Sequence, residues 1–216
     1  MQSLFRNIRF YVLLTSAILA SGIYIWIALT VPDSGAQVIK RTQTYALIAI
    51  TYLYIALLAT PLTRAFKRLP FRGQYIKARR AIGVSACFFA LMHARSAFFD
   101  LLGGLGGLPF LTGKYLFAIS LSFTALVILT FMALTSFDFM VAKLSYKRWK
   151  FLHRFVYVAG ISILIHALML GTHFQDLSGI IPKVFFIALA VLLILESVRF
   201  YRYLQSKLGN SSQKPV

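Results

Sequence analysis

Six apolar stretches, each close to the length that crosses a bilayer, run along this chain and leave only short connections between them. A hydrocarbon core about 30 Å thick is spanned by about 20 helical residues, because an α-helix rises about 1.5 Å per residue. The stretches fall at residues 10–31, 44–62, 81–102, 115–141, 151–170 and 180–201. With 59% hydrophobic residues and a mean hydropathy of +0.78, the expected fold is an all-α integral membrane protein, a six-transmembrane-helix bundle. Turn residues punctuate the breaks: Pro32 with Gly35, Pro70 with Gly73, the Gly103–Gly107 run, and Gly179 with Pro182. Helices this close in sequence make one domain over residues 1–207, followed by a polar C-terminal tail at 208–216.

Charge gives the direction of insertion. Most of the 23 lysines and arginines lie before the first stretch, between the second and third, between the fourth and fifth, and after the sixth. Lys40, Arg41, Lys114 and Lys183 fall on the opposite side, and Arg95 lies within the third stretch. The positive-inside rule then places both termini in the cytoplasm. The net charge of +18 raises the question of a nucleic-acid partner, but these cations sit in short loops between spans rather than on one soluble face. Membrane topology and anionic lipid account for them, and no nucleic acid is expected. The first stretch is longer than a signal peptide's apolar core and is expected to be retained.

Ionisable side chains inside hydrocarbon are costly and mark function, which draws attention to His93 and His166. Their helices run parallel in the six-span topology. Each histidine precedes the far end of its helix by seven residues, counted to Asp100 and to His173, so both lie about 10 Å inside that end. Two level imidazoles on neighbouring helices can grip one haem iron from opposite faces. The other reading is two separately satisfied polar residues, each bonded to a backbone carbonyl or a water. The one cysteine, Cys87, permits no intrachain disulfide, and no Cys-x-x-Cys-His is present, so a haem here would be b-type. Small residues around the pair (Ala86 and Ala90, Ala159, Gly160 and Ser162) suit either a flat ligand or close helix packing, the latter being the ordinary use in membranes.

His153 sits about 20 Å below His166 on the same helix, a spacing suited to a second haem. Thirteen residues at about 100° each, however, turn the two side chains about 140° apart. Either the helix is overwound or bulged, with Gly160 the candidate place, or His153 has another job. The matching position on the third helix is Arg79, which cannot ligate iron. Arg79 can pair with a haem propionate or anchor the helix at the interface, and Arg95 faces the same choice. The few acids form no catalytic pair. Glu196 has ion-pair spacing to Arg199, Asp138 closes the fourth helix near Lys143, and His173 reads as a surface residue.

Two stretches carry a resemblance. One has Arg79, Arg80 and Gly83, then Met92 and His93; the other has Trp149, Leu152, His153 and Tyr157, then His166. Together they resemble the ferric reductase-like transmembrane domain, most of all its minimal members, the haem-binding membrane subunits of bacterial methionine sulfoxide reductase systems. The likeness extends over nearly the whole chain. It implies a cytochrome of b-type haem that carries electrons across the bacterial plasma membrane, with positions matching His93, His166 and His153 as ligands. Larger relatives use two histidines on the third helix, whereas this chain has one, with Arg79 in the other's place.

Larger relatives also continue into a cytosolic flavin and nicotinamide domain. This sequence ends soon after the sixth helix, so flavin would enter through a partner or bind weakly. Electrons would come from quinol or a separate flavoprotein and leave to a periplasmic oxidoreductase, ferric iron or oxygen. The competing class is a small histidine-containing transporter or channel without haem. Few intramembrane carboxylates and no paired broken helices speak against it.

Overall fold

The computed structural model describes residues 8–211, with side chains to residue 205. Its elements are α1 (Ile8–Thr30), α2 (Ser34–Ala65), α3 (Arg72–Arg95), α4 (Gly113–Leu134), α5 (Asp138–Leu144), α6 (Tyr146–Leu152), α7 (Val156–Leu170), α8 (Thr172–Gln175) and α9 (Ile180–Ser211). A π turn at Ser96–Leu101 prolongs α3, and a 3₁₀ turn at His153–Phe155 joins α6 to α7. Among the described residues six helical segments are long and apolar enough to cross a membrane, the fifth being Tyr146–Leu170. This is an integral, multi-pass membrane protein. Part of the expected tail, residues 208–211, continues α9, and the final residues, 212–216, lie outside the described part, as do residues 1–7.

The span boundaries differ from the hydropathy reading at several ends: the third span begins at Arg72 rather than residue 81 and the fifth at Tyr146 rather than residue 151, and two further differences have a visible cause. α2 begins at Ser34 rather than residue 44, because Asp33 caps it, its carboxylate accepting from the Ala36 amide at 2.6 Å. Lys40 and Arg41 are therefore helical rather than in a loop. Their charges settle over aromatic rings of α1, Lys40 at 5.0 Å from the Trp26 centroid and Arg41 at 4.9 Å from Tyr24. The fourth span ends at Leu134 rather than residue 141, where the Thr135 and Ser136 hydroxyls turn back onto the Phe131 and Met132 carbonyls. Asp138 therefore opens the short helix α5 instead of closing α4.

Lipid supplies no hydrophobic drive between helices, so small residues and hydroxyl hydrogen bonds do the joining. α3 is central and packs on α2, α1 and α4, while α4 packs on α7 and α2 on α9. Ala86, Cys87, Ala125, Leu129 and Ala159 form one buried cluster with Leu53; Tyr45 and Phe89 form a second with Ala20. Ser16 donates to Ser85 at 2.8 Å, and Thr42 to Ser96 at 2.8 Å, tying α1 and α2 to α3. Large apolar side chains such as Ile18, Leu29 and Ile187 face outward, as lipid requires. Notably, α3 and α7 do not pack closely on each other. The two helices that carry the paired histidines thus touch little, through small residues such as Ala86 and Ala159, with α2 and α4 as their main neighbours.

The α3–α4 connection depends on glycine. Gly103 and Gly104 both take φ of +72°, the left-handed region that side chains disfavour. At Gly107 a Cβ would lie 1.8 Å from the Leu102 carbonyl oxygen, so only glycine permits that approach.

Candidate functional site

His93 is in the last turn of α3 and His166 in the middle of the final stretch of α7. Their rings meet across the gap, with centroids 6.3 Å apart and planes inclined at 73°. An imidazole nitrogen bonds a first-row metal at about 2.0 Å and lies about 1.1 Å from its ring centre. Two rings gripping one ion from opposite sides therefore have centres about 6.2 Å apart. The observed spacing matches that requirement.

Each ring is also fixed in tautomer. The Nδ1–H of His93 donates to the Thr42 carbonyl of α2 at 3.0 Å, and that of His166 to the Ala118 carbonyl of α4 at 2.9 Å. A histidine that donates one nitrogen to a carbonyl presents the other as a lone pair, which is how ligating imidazoles are oriented. Both Nε2 atoms are thus available. These anchors come from α2 and α4, the helices flanking the gap. Both side chains are half-buried.

Two readings of the small residues separate here. Ala86 and Ala159 are fully buried in the cluster that packs α3, α4 and α7, so they serve helix contact. Gly160 has no atom within 4 Å of where its Cβ would stand. It lines a cavity of about 180 Å³ between α2, α7 and α9, with Tyr54, Tyr157, Leu164, Phe174 and Phe185. Nine residues at about 100° turn Tyr157 about 180° from His166, so this cavity faces away from the histidine pair. At its edge the Tyr157 hydroxyl donates to Glu196 at 3.3 Å, and Glu196 pairs with Arg199 at 2.7 Å, as their spacing anticipates.

His153 stands apart from the pair, in the 3₁₀ turn between α6 and α7. The overwinding expected near Gly160 occurs at His153 itself. Three residues at about 120° instead of about 100° reduce its angular offset from His166 from about 140° to about 80°. Its Nε2 is buried and has no hydrogen-bond partner among the described residues. Arg79 is half-buried and donates to the Thr60 hydroxyl of α2. Arg95 pairs with Asp100 at 3.3 Å, and His173 is exposed on α8.

Three features go beyond the sequence reading. That reading left open a backbone carbonyl as the partner of each histidine; which carbonyls, those of Thr42 and Ala118, leaves no mark on side-chain type. Trp149 lies four residues before His153, a spacing that brings helical side chains together, and is stacked on it at 4.1 Å. Asp138 does not pair with Lys143. It bridges Arg9 at 2.9 Å and Arg80 at 2.6 Å, joining α1 and α3. Hydrogen bonding and charge from Arg9, with Arg80 adding to both, hold its carboxyl below the usual carboxylate range.

Residues 42–164 match the family of ferric reductase like transmembrane components, a stretch that contains His93 and His153 and ends two residues before His166. The chain belongs to this family. Among similar curated proteins is the protein-methionine-sulfoxide reductase heme-binding subunit MsrQ of Herminiimonas arsenicoxydans. It is 32% identical over 152 residues, covering 67% of this chain and 63% of that protein. The proteins of the same name from Polaromonas naphthalenivorans and Cronobacter sakazakii are 33% identical over 117 residues and 36% over 124. These cover 53% and 56% of this chain, and 51% and 58% of theirs. The chain thus matches between half and two thirds of the length of these relatives. Six spans, a transmembrane family and bacterial relatives make this a multi-pass protein of the bacterial inner membrane.

Proposed function

We propose that this protein is a membrane cytochrome b subunit, in which His93 and His166 hold one haem b by their Nε2 atoms between α3 and α7. The observation that carries this reading is the 6.3 Å ring spacing, together with the two carbonyl anchors that leave both Nε2 atoms available. Ligand count supports it. No group of three or more His, Cys, Asp or Glu that could hold a metal occurs among the described residues. A bare zinc or similar ion takes three or four protein ligands, whereas a metal already held by a macrocycle needs two at most. The relatives' name, heme-binding subunit, agrees.

When bound, the haem would accept and release one electron at a time between donor and acceptor sides of the membrane. The chain's own residues do the rest. The Thr42 and Ala118 carbonyls fix both rings and raise the basicity of their free nitrogens. Outward-facing apolar helices exclude water from the gap. His153, with its buried unpartnered Nε2, is the ligand for a second haem on the cytoplasmic side, with both termini cytoplasmic. Arg79, held by Thr60, is placed to meet a propionate there.

For the donor, the apolar cavity edged by Tyr157 and Glu196 favours a membrane-borne quinol over a soluble flavoprotein, since it opens within the span region. The acceptor would be an oxidoreductase at the outer face, by analogy with the relatives' methionine sulfoxide reductase system. An absorption spectrum of the purified protein tests the reading. A Soret band that shifts on reduction, with sharp alpha and beta peaks, is expected; a colourless, haem-free preparation refutes it and leaves the transporter alternative.

A further inference from the structure

His93 and His166 are each oriented by a carbonyl, but His153 has no hydrogen bond at either ring nitrogen that would do the same. An imidazole without such an anchor rotates freely about its side-chain torsions, and a loosely held ring makes a poor ligand. Another group must fix it, and among the described residues the ring packed against it is that of Trp149. The two rings stack at 4.1 Å between centroids, inclined by 33°.

Trp149 is itself held on several sides. It is buried, although the residues flanking it on α6 are exposed. Its indole Nε1–H donates to the Thr135 carbonyl at 3.0 Å, where α4 ends. Tyr146 stacks on it at 6.1 Å with the planes only 21° apart. The Arg80 guanidinium lies over its ring at 5.2 Å, and Arg80 is tethered in turn by Asp138 at 2.6 Å. An indole pinned by one hydrogen bond and by stacking is a rigid flat surface. Stacked aromatic pairs contribute about 0.5–1.5 kcal/mol beyond their burial, enough to select one orientation of a ring that lacks a hydrogen bond.

We propose that Trp149 is the positioning residue for His153: its indole face, fixed by the Thr135 carbonyl and covered by Arg80, replaces the carbonyl anchors that orient the other two histidines. This inference rests on the reading of His153 as a ligand, but the arrangement of Trp149 against it does not. Trp149→Phe keeps a smaller aromatic face and loses the Nε1 bond. Trp149→Leu removes the face. Trp149→Met stands in should the leucine variant fail to accumulate in the membrane.

The test uses the purified full-length protein. Acylation of each histidine by diethyl pyrocarbonate is followed by peptide mass spectrometry, alongside the low-spin electron paramagnetic resonance signal. The Leu or Met variant is expected to raise His153 reactivity several-fold while leaving His93, His166 and His173 unchanged, and the Phe variant to stay near the wild type. The resonance signal that disappears in His153→Ala should shift in the Leu or Met variant and return in the Phe variant. Unchanged His153 reactivity in both the Leu and Met variants overturns the proposal, as does a uniform rise at every histidine, which would report general loosening. A failure of the ligand reading looks different: His153→Ala would then leave haem content and resonance signal intact, while the acylation pattern still decides the role of Trp149.

Discussion

Replacing His93 or His166 by alanine separates ligation from folding, because the two costs differ greatly in size. Each ring contributes one hydrogen bond to the fold, from Nδ1 to the carbonyl of Thr42 or Ala118. Interhelical hydrogen bonds in membranes average about 0.6 kcal/mol and reach about 1.7, so His93→Ala or His166→Ala should destabilise the bundle by about 1 kcal/mol. The clusters around Phe89 and around Ala86 and Ala159 remain intact, and they hold the bundle together. The ligation cost is larger. Loss of a residue that merely orients a metal ligand weakens binding about 10- to 100-fold. Loss of the ligand itself should exceed that, more than about 2.8 kcal/mol at about 1.4 kcal/mol per tenfold. The assay is haem per polypeptide by pyridine haemochrome on detergent-purified protein, with monodispersity by gel filtration as the folding control. Each single variant should elute like the wild type and lose the haem shared by His93 and His166, keeping at most the one assigned to His153. Added imidazole should restore some of the shared haem by filling the vacated space. Full haem content in either variant would refute the shared-ligand geometry, and so would haem loss that occurs only together with aggregation.

Three further outcomes follow from the packing and the charges. Ala159→Leu inserts a larger side chain into a fully buried site among Ala86 and Ala125, and should lower stability by about 1–3 kcal/mol, seen as a lower thermal midpoint in detergent; an unchanged midpoint would mean the helices are not in contact there. Gly107→Ala should sharply reduce folded yield because its Cβ would meet the Leu102 carbonyl oxygen at 1.8 Å, whereas Gly106→Ala, with nothing within 4 Å, should be tolerated; equal yields would contradict the turn geometry. Asp138 is a carboxyl whose folded value is depressed, so its contribution is present above the ordinary carboxylate range and is lost as pH falls through the lowered value. Being largely exposed, the bridge is worth at most about 1 kcal/mol, so Asp138→Asn should lower the thermal midpoint slightly at neutral pH and make no difference in strong acid. A difference that instead grew on acidification would be inconsistent with the bridge.

How much was legible beforehand differs by element. The six crossings were readable because lipid leaves a helix no option but a long apolar run, so number and approximate place follow from composition alone. The ends were less legible where polar residues have partners. Lys40 and Arg41 looked like loop residues, and only the rings of Trp26 and Tyr24, on another helix, make them tolerable inside α2. The matched depth of His93 and His166 could be counted from helical rise. Whether they faced one another could not, since that depends on the rotation of two helices that scarcely touch. For His153 the count along the helix misled in part, because the 3₁₀ turn that rephases it carries no distinctive sequence mark. Asp138 was assigned its nearest cation in sequence, whereas its partners, Arg9 and Arg80, lie on other helices.

From the order of its residues alone, this chain was committed to crossing a membrane six times and to carrying imidazoles at one level on two parallel helices, because hydrophobic length and helical rise are local quantities. Tertiary structure decided the rest: that two carbonyls from α2 and α4 fix those imidazoles with ring centres 6.3 Å apart, and that an indole lies against the third. Backbone carbonyls are the same in every residue, and helix rotation is set by neighbours, so neither could be read before the helices were placed together.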